Sequence, residues 1–98
     1  MGETYRFRSR VYRWSERATD SWYFVDVPEA ESDDIRDRPR MPRGFGSVRV
    51  EATIGGTTWL TSIFPGAERY ALPLKKAVRS AEDIEPDDEV DVRIRTLD

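Results

Sequence analysis

The chain contains no cysteine and no histidine among its 98 residues. Without cysteine there is no thiol nucleophile and no disulfide framework, and without either residue type there is no zinc site built on sulfur or imidazole ligands. A histidine general base is excluded for the same reason. The groups that remain for chemistry are carboxylates, hydroxyls, lysine and arginine.

Long apolar runs are missing as well. No segment approaches the ~18 consecutive apolar residues of a membrane-spanning helix. Residues 1–10 are charged where a secretory signal is apolar. We therefore expect a cytoplasmic protein that does not associate with a membrane.

Charge is abundant in the chain and nearly balanced. Charged residues make up 36% of the sequence, with 16 Lys+Arg against 19 Asp+Glu and a net charge of −3. A chain of this length forms one domain, here residues 1–98, with a single modest core. Because only 38% of the residues are hydrophobic, we expect the three Trp, four Tyr and four Phe to supply much of that core.

Apolar and polar residues alternate in several short segments, which is typical of strands. Residues 5–14 and 90–95 alternate with a period of two. Residues 22–27 are apolar on both faces and indicate a more central strand. Residues 69–72 add a short strand after the Pro65-Gly66 turn.

The clearest element is a β-hairpin over residues 47–64, with Gly55-Gly56 as its turn. A two-residue loop fixes which residues face each other across the strands. The predicted core-face pairs are Ile54–Thr57, Ala52–Trp59, Val50–Thr61 and Val48–Ile63. Leu60 falls on the opposite, outer face.

Helical spacing occurs in two places. Leu74, Ala77, Val78 and Ala81 recur at i, i+3, i+4 and i+7, which predicts a helix near 74–81. Residues 29–36, after Pro28, favour a second, short helix with one large apolar residue. Strands predominate, so we predict a mainly β fold. Its form is a small, partly open β-barrel of about six or seven short strands.

Motifs along most of the chain form a joint pattern: Trp22-x-Phe24 with Pro28, Arg43-Gly44-Phe45-Gly46-x-Val48-x-Val50, Ile54-Gly55-Gly56, Trp59-x-Thr61-Ser62-x-Phe64-Pro65, and Tyr70-x-Leu72-Pro73-x-Lys75-x-x-Val78-Arg79. Together they resemble an uncharacterised bacterial family, the domain of unknown function DUF1905, over roughly residues 5–97. The resemblance implies a small β-barrel with a helix before the last strand, and it implies no activity. Some relatives carry the domain beside a second module, which implies an accessory role.

The sequence departs from that family at one turn. Relatives usually place Gly-Asp before the final strand, and here the pair is Asp87-Asp88. Aspartate adopts a left-handed backbone more readily than most residues. We therefore expect the turn to be kept.

A weaker resemblance covers only residues 72–94. This segment is similar to the swapped-hairpin domains of bacterial transition-state regulators and antitoxins, which bind DNA as dimers. The net charge of −3 disfavours nucleic-acid binding, because domains that neutralise phosphates are usually basic. Because of the resemblance, nucleic-acid binding nevertheless stays open as an alternative.

The loop Arg43-Gly44-Phe45-Gly46, in which two glycines bracket an aromatic residue, combines features of a ligand-binding loop. Glycine lets a backbone approach a ligand closely, and an arginine binds an anion with two parallel hydrogen bonds. The structural alternative is that the glycines permit a bend before the hairpin while Phe45 covers the barrel end.

Two basic residues share one face of the predicted helix, since Lys75 and Arg79 are four positions apart. If that helix packs near the strand ends, Lys75, Arg79, Ser62 and the Arg43 loop form a small anion pocket. The alternative is a solvated basic face, or an Arg79 bound to a carboxylate.

Three aromatic residues are core candidates that could instead line such a pocket: Trp22, Trp59 and Tyr70. Small barrels hold ligands at their mouths, where aromatic side chains often line the site. The acidic residues between positions 82 and 91 lack the spacing of a calcium loop, so no metal is expected.

We expect a non-catalytic binding or accessory module, monomeric or weakly dimeric, with no cofactor. Its partner would be a small molecule or a protein. Two alternatives remain open besides: the nucleic-acid-binding module above, and an enzyme that uses a Ser62–Lys75 pair or carboxylates.

Overall fold

The computed structural model describes residues 2–17, 20–38 and 46–97. These ranges contain the strands β1 (Thr4–Arg10), β2 (Tyr12–Arg17), β3 (Asp20–Asp26), β4 (Val48–Ile54), β5 (Thr57–Pro65), β6 (Tyr70–Pro73) and β7 (Glu89–Thr96), and the helices α1 (Glu29–Asp37) and α2 (Lys76–Ala81). The predicted mainly β fold is confirmed. Neither of these helices is long and apolar enough to cross a membrane.

One curled antiparallel sheet forms a half-barrel, with the strand order β1-β7-β4-β5-β6-β3-β2. The two strands at the ends of this order, β1 and β2, are consecutive in the chain and are separated only by Val11. The Val11 N–H donates to the Asp88 C=O at 2.8 Å, and its own C=O accepts from the Asp87 N–H at 2.7 Å. One continuous segment therefore borders both ends of the sheet.

The single strand predicted over residues 5–14 is thus wrong in one respect, because it is two strands with a bend at Val11. The chain bends there because β1 pairs with β7 whereas β2 pairs with β3. A strand that changes partners in this way makes a corner in the sheet. Val11 is fully buried at that corner.

The predicted hairpin is confirmed residue by residue. β4 and β5 pair from Ile54–Thr57 to Val48–Ile63, and Leu60 is 59% exposed on the outer face. In its turn only Gly55 has a positive φ, of 57°. In one type of two-residue hairpin turn, only the first of the two central residues needs a positive φ, and this turn is of that type.

The core inside the curl is mainly aliphatic. Trp59 and Tyr70 are buried in it, but Trp22 is 56% exposed, and Tyr12, Trp14 and Phe64 are exposed too. The expectation that aromatic residues supply much of the core is therefore wrong for these side chains. In β3 the inward positions alternate, and Trp22 lies on the outer face because Val25 faces the core.

The helix α1 matches its prediction, and α2 differs from it. α2 begins at Lys76, so Leu74 belongs to the extended segment before it. Leu74 and Val78 are buried as expected, whereas Ala77 and Ala81 are exposed. A helix of six residues is too short to bury a full stripe. The turn before β7 is kept as expected, with Asp87 at a φ of 74°.

Candidate functional site

A groove of about 280 Å³ lies between the first half of β5 and the segment that connects β6 to α2. Its lining comes from three places in the chain: Trp22 and Tyr23 of β3, Trp59, Leu60 and Thr61 of β5, and Pro73, Leu74, Lys75, Lys76 and Arg79 around the start of α2. We refer to it as the β5–α2 groove.

The groove exists because the sheet is interrupted on one side of β5. β6 has four residues and pairs with only the last two residues of β5. After Pro73 the chain leaves the sheet, with the Leu74 N–H donating to the Tyr23 C=O at 2.8 Å, and continues into α2. Residues 59–61 of β5 therefore have β4 on one side and the β5–α2 groove on the other.

The helix bordering the groove is fixed at both ends. Leu74 before it and Ile84 after it are buried in the core. The Thr57 hydroxyl, at the start of β5, donates a hydrogen bond to the Glu82 carboxylate directly after the helix. These contacts hold α2 across the gap between β6 and β5.

Arg79 is held by an aromatic ring and a carbonyl. Its guanidinium carbon lies 3.8 Å from the centroid of the Tyr23 ring, and its Nε donates to the Leu74 C=O at 3.1 Å. A guanidinium group stacked on an aromatic face is stabilised by the ring quadrupole. Among the described residues, no carboxylate binds Arg79, and its terminal N–H groups have no partner there either.

Lys75 and Lys76 bring two further positive charges to the groove. No carboxylate within the described part of the chain makes an ion pair with either lysine, and none of the lining residues is acidic. Several arginines elsewhere pair with acids, as where Arg8 pairs with Glu89 at 3.0 Å. The β5–α2 groove is thus a local concentration of positive charge in a chain of net charge −3.

Aromatic surface is available beside these cations. Trp22 is 56% exposed, and Leu60 next to it in the groove is 59% exposed. Trp59 is buried, yet its indole N–H makes no hydrogen bond to any described residue. Since a buried indole N–H usually has a partner, Trp59 offers a free donor among the lining residues.

Comparison with protein families agrees with the motifs in the sequence. The family model described as "Domain of unknown function (DUF1905)" matches residues 7–94. The chain belongs to the DUF1905 family. The predicted resemblance is thereby confirmed, and no curated protein matches the chain.

This DUF1905 domain brings four of the predicted site residues to one place. Lys75, Arg79, Trp22 and Trp59 all line the β5–α2 groove. The first two were expected in an anion pocket and the last two as possible lining aromatics. Their role in binding stays a prediction.

The other predicted residues lie elsewhere. Ser62 follows the groove-lining part of β5 but does not line it, and Tyr70 is buried in the core. Arg43, Gly44 and Phe45 lie outside the described residues.

Six lining residues of the groove were missed by sequence reasoning, among them Lys76 and Tyr23. Lys76 follows Lys75 directly, and the pair at a helix start was a signal that could have included it. Tyr23 gave no such signal, because its contact with Arg79 joins segments far apart in the sequence. Only the fold brings them together.

The enzyme alternative requires a hydrogen bond between its nucleophile, Ser62, and its base, Lys75. Ser62 and Lys75 are both described, and no hydrogen bond links their side chains. Among the described residues, no group of three or more acidic side chains is placed to hold a metal ion.

A larger depression, of about 510 Å³, lies on the outer face of β1, β7 and β4. It brings Arg6 and Arg93 beside Asp91, whose carboxylate pairs with Arg8 at 3.1 Å. Because acids and bases are mixed there, this surface favours neither sign of ligand. The β5–α2 groove is the better candidate.

Proposed function

We propose that this DUF1905 domain is a non-catalytic module that binds an anionic ligand with a flat apolar part in the β5–α2 groove. The observation that carries the proposal is the lining itself. Three basic side chains and three aromatic rings border one groove, and none of its described lining residues is acidic.

The two kinds of side chain recognise different parts of such a ligand. Lysine and arginine donate charge-assisted hydrogen bonds to a carboxylate, sulfonate or phosphate. The exposed ring of Trp22 offers a surface for a flat apolar group, which leaves water on binding. At about 280 Å³ the groove is slightly smaller than the ~300–1,000 Å³ typical of small-molecule sites, so the ligand is compact or is one part of a larger partner.

The composition of the lining supports binding rather than catalysis. Hydroxyl groups are present on Thr61 and Tyr23, but no carboxylate among the described lining residues could act as a base beside them. A nucleophile needs such a base within hydrogen-bond reach.

The expected cytoplasmic site of action stays a prediction.

The lysines provide a direct test, because Lys75 and Lys76 are the only two in the chain. A naphthalene sulfonate is titrated into protein isotope-labelled at lysine, and the side-chain signals are followed by NMR. We expect both lysine signals to shift. We expect Lys75→Gln to weaken binding about tenfold, since hydrogen bonds to charged groups typically contribute ~1.5–3 kcal/mol.

Matched controls separate this site from general charge. Arg6→Gln removes one positive charge on the outer face of β1, away from the β5–α2 groove, and should leave affinity unchanged. An uncharged naphthalene alcohol should bind more weakly than the sulfonate. Equal losses in Lys75→Gln and Arg6→Gln, or lysine signals that do not move, would contradict the proposal.

A further inference from the structure

β5 presents an unpaired main-chain edge to the β5–α2 groove. The two-residue turn makes Ile54 and Thr57 a hydrogen-bonded pair, and such pairs alternate along an antiparallel ladder. Trp59 and Thr61 therefore also bond to β4. The residues whose N–H and C=O groups point the other way are Thr58, Leu60 and Ser62.

Phe64 is the next residue of β5 whose main-chain groups point away from β4, and it shows how such groups are paired. Phe64 pairs with Ala71 of β6 on that side, and the pairing of β6 with β5 ends there. Among the described residues, no hydrogen bond from a turn, loop or side chain reaches the outward groups of Thr58 or Leu60. An edge of this kind is a template for another strand.

The strand itself carries none of the usual protections against such pairing, and α2 leaves the groove between itself and this edge. Proteins protect exposed edges with lysine, proline or a bulge on the strand itself. Residues 58–62 contain no charge and no proline, and their pairing with β4 is regular. The charges lie instead across the groove, on Lys75, Lys76 and Arg79.

We propose that the natural occupant of the β5–α2 groove is an extended acidic segment of a partner protein, which adds a strand to β5. This inference rests on the proposed function and names its ligand. An added strand lies ~4.8 Å from its neighbour and satisfies the free N–H and C=O groups, which a small anion leaves unpaired. Its acidic side chains, at every second position, meet the three cations across the groove.

The charges disfavour a second copy of this chain as the occupant. β5 carries no acidic residue from Thr57 to Pro65. Pairing two β5 edges would bring two sets of Lys75, Lys76 and Arg79 together without neutralising either. Like charges facing each other across a pair of strands are destabilising.

The test uses a short blocked peptide of alternating glutamate and valine. Two N-methylated versions are compared with it: one methylated on the N–H groups that face β5 in the added strand, the other on the N–H groups that face solvent. We expect the first to lose at least about fivefold in affinity, since each hydrogen bond removed typically costs that much. The second should bind as the parent does.

Hydrogen exchange of the protein gives a second readout. On saturation with the parent peptide, exchange at Leu60 should slow about tenfold or more, as its N–H group becomes bonded. Exchange at Thr61 should change little, because its N–H already bonds to β4. A Lys76→Gln variant should weaken peptide binding, and Arg6→Gln should not.

The outcomes distinguish the two proposals. If the naphthalene sulfonate binds but the peptide does not, or both N-methylated peptides bind equally, strand addition is wrong and the anion site stands. If neither probe binds, the proposed function fails as well. A dimer in which Leu60 exchange is already slow would assign the edge to a second copy and overturn the inference.

Discussion

Ser32 shows what a single small polar residue does in this fold. Its side chain is fully buried on α1, where its hydroxyl donates to the Val27 C=O at 2.9 Å and accepts from the Tyr70 N–H at 3.0 Å. One oxygen thus joins α1 to the end of β3 and the start of β6. Serine is mostly found exposed, so the sequence predicted only Ile35 as the packing residue of this helix.

We expect Ser32→Ala to lower the free energy of unfolding by about 1–3 kcal/mol, because it leaves a buried N–H and C=O unpaired. Chemical denaturation measures this loss. Ser80→Ala, at an exposed position of α2, is the matched control and should change little. Similar stabilities for the two variants would contradict the assigned role of Ser32.

Two tyrosines near the chain start are bound to carboxylates. The Tyr12 hydroxyl donates to Asp26 at 2.7 Å, and burial together with this carboxylate raises the pKa of Tyr12 above its ordinary 10.0. Burial and Asp34 raise the pKa of Tyr5 in the same direction. The folded protein therefore keeps these protons at a pH where the unfolded chain releases them.

It follows that the stabilising contribution of Tyr12 is complete below pH 10.0 and is lost as the pH rises beyond that value. We expect Tyr12→Phe to be less stable than the parent at neutral pH, and the difference to shrink at about pH 11. Urea unfolding at both pH values measures it. A difference that stays constant or grows would contradict this assignment.

At the scale of elements, the sequence predicted the features that depend only on residues close together in the chain. The β4–β5 register followed from a two-residue turn and from alternation, so every pair could be named. The bend at Val11 could not be predicted, because it depends on which distant strands lie beside it. The groove was predictable in part: Lys75 and Arg79 share a helix face, but the Tyr23 ring beneath Arg79 comes from another segment.

The hairpin turn offers a sharp test within one element. Gly55 has a φ of 57°, and an added Cβ would also meet the Glu82 side chain. Gly56 has no positive φ, and nothing lies within 4 Å of its Cβ position. We expect Gly55→Ala to cost about 1–2 kcal/mol of stability and Gly56→Ala much less. The unfolding temperatures of the two variants measure this difference, and equal decreases in both would contradict the turn geometry.

The whole molecule behaves as one sheet whose two ends share a segment. β1 closes one end against β7 and β2 closes the other against β3, with Val11 between them. The Cα radius of gyration, 13.0 Å, is that of a compact domain of this length. Because β1 and β2 are joined through Val11, detachment of either strand from its end of the sheet also weakens the attachment of the other.

We expect a single cooperative unfolding transition, as small domains usually show. Tryptophan fluorescence reports on β2, β3 and β5, where the three tryptophans lie, while far-UV circular dichroism reports on all the strands. Their midpoints in denaturant should coincide. Fluorescence that changes well before circular dichroism would show that the β2–β3 side unfolds alone.

Net charge at this scale bears on the nucleic-acid alternative, which stays a prediction. A chain of net charge −3 with one cationic groove is expected to bind duplex DNA more weakly than about 10⁻⁴ M at physiological salt. Fluorescence anisotropy with labelled duplex measures this. Tighter binding that weakens steeply between ~50 and 200 mM salt would favour the DNA-binding module.

The position of the lysines has a practical consequence for any study of this domain. Apart from the α-amino group, the amines of the chain are those of Lys75 and Lys76, and both border the β5–α2 groove. Amine coupling to a sensor chip would therefore attach the molecule through its candidate site and turn that site towards the matrix. Acylating reagents and amine-reactive dyes would occupy the same place. Immobilisation through a terminal tag avoids attachment at either lysine.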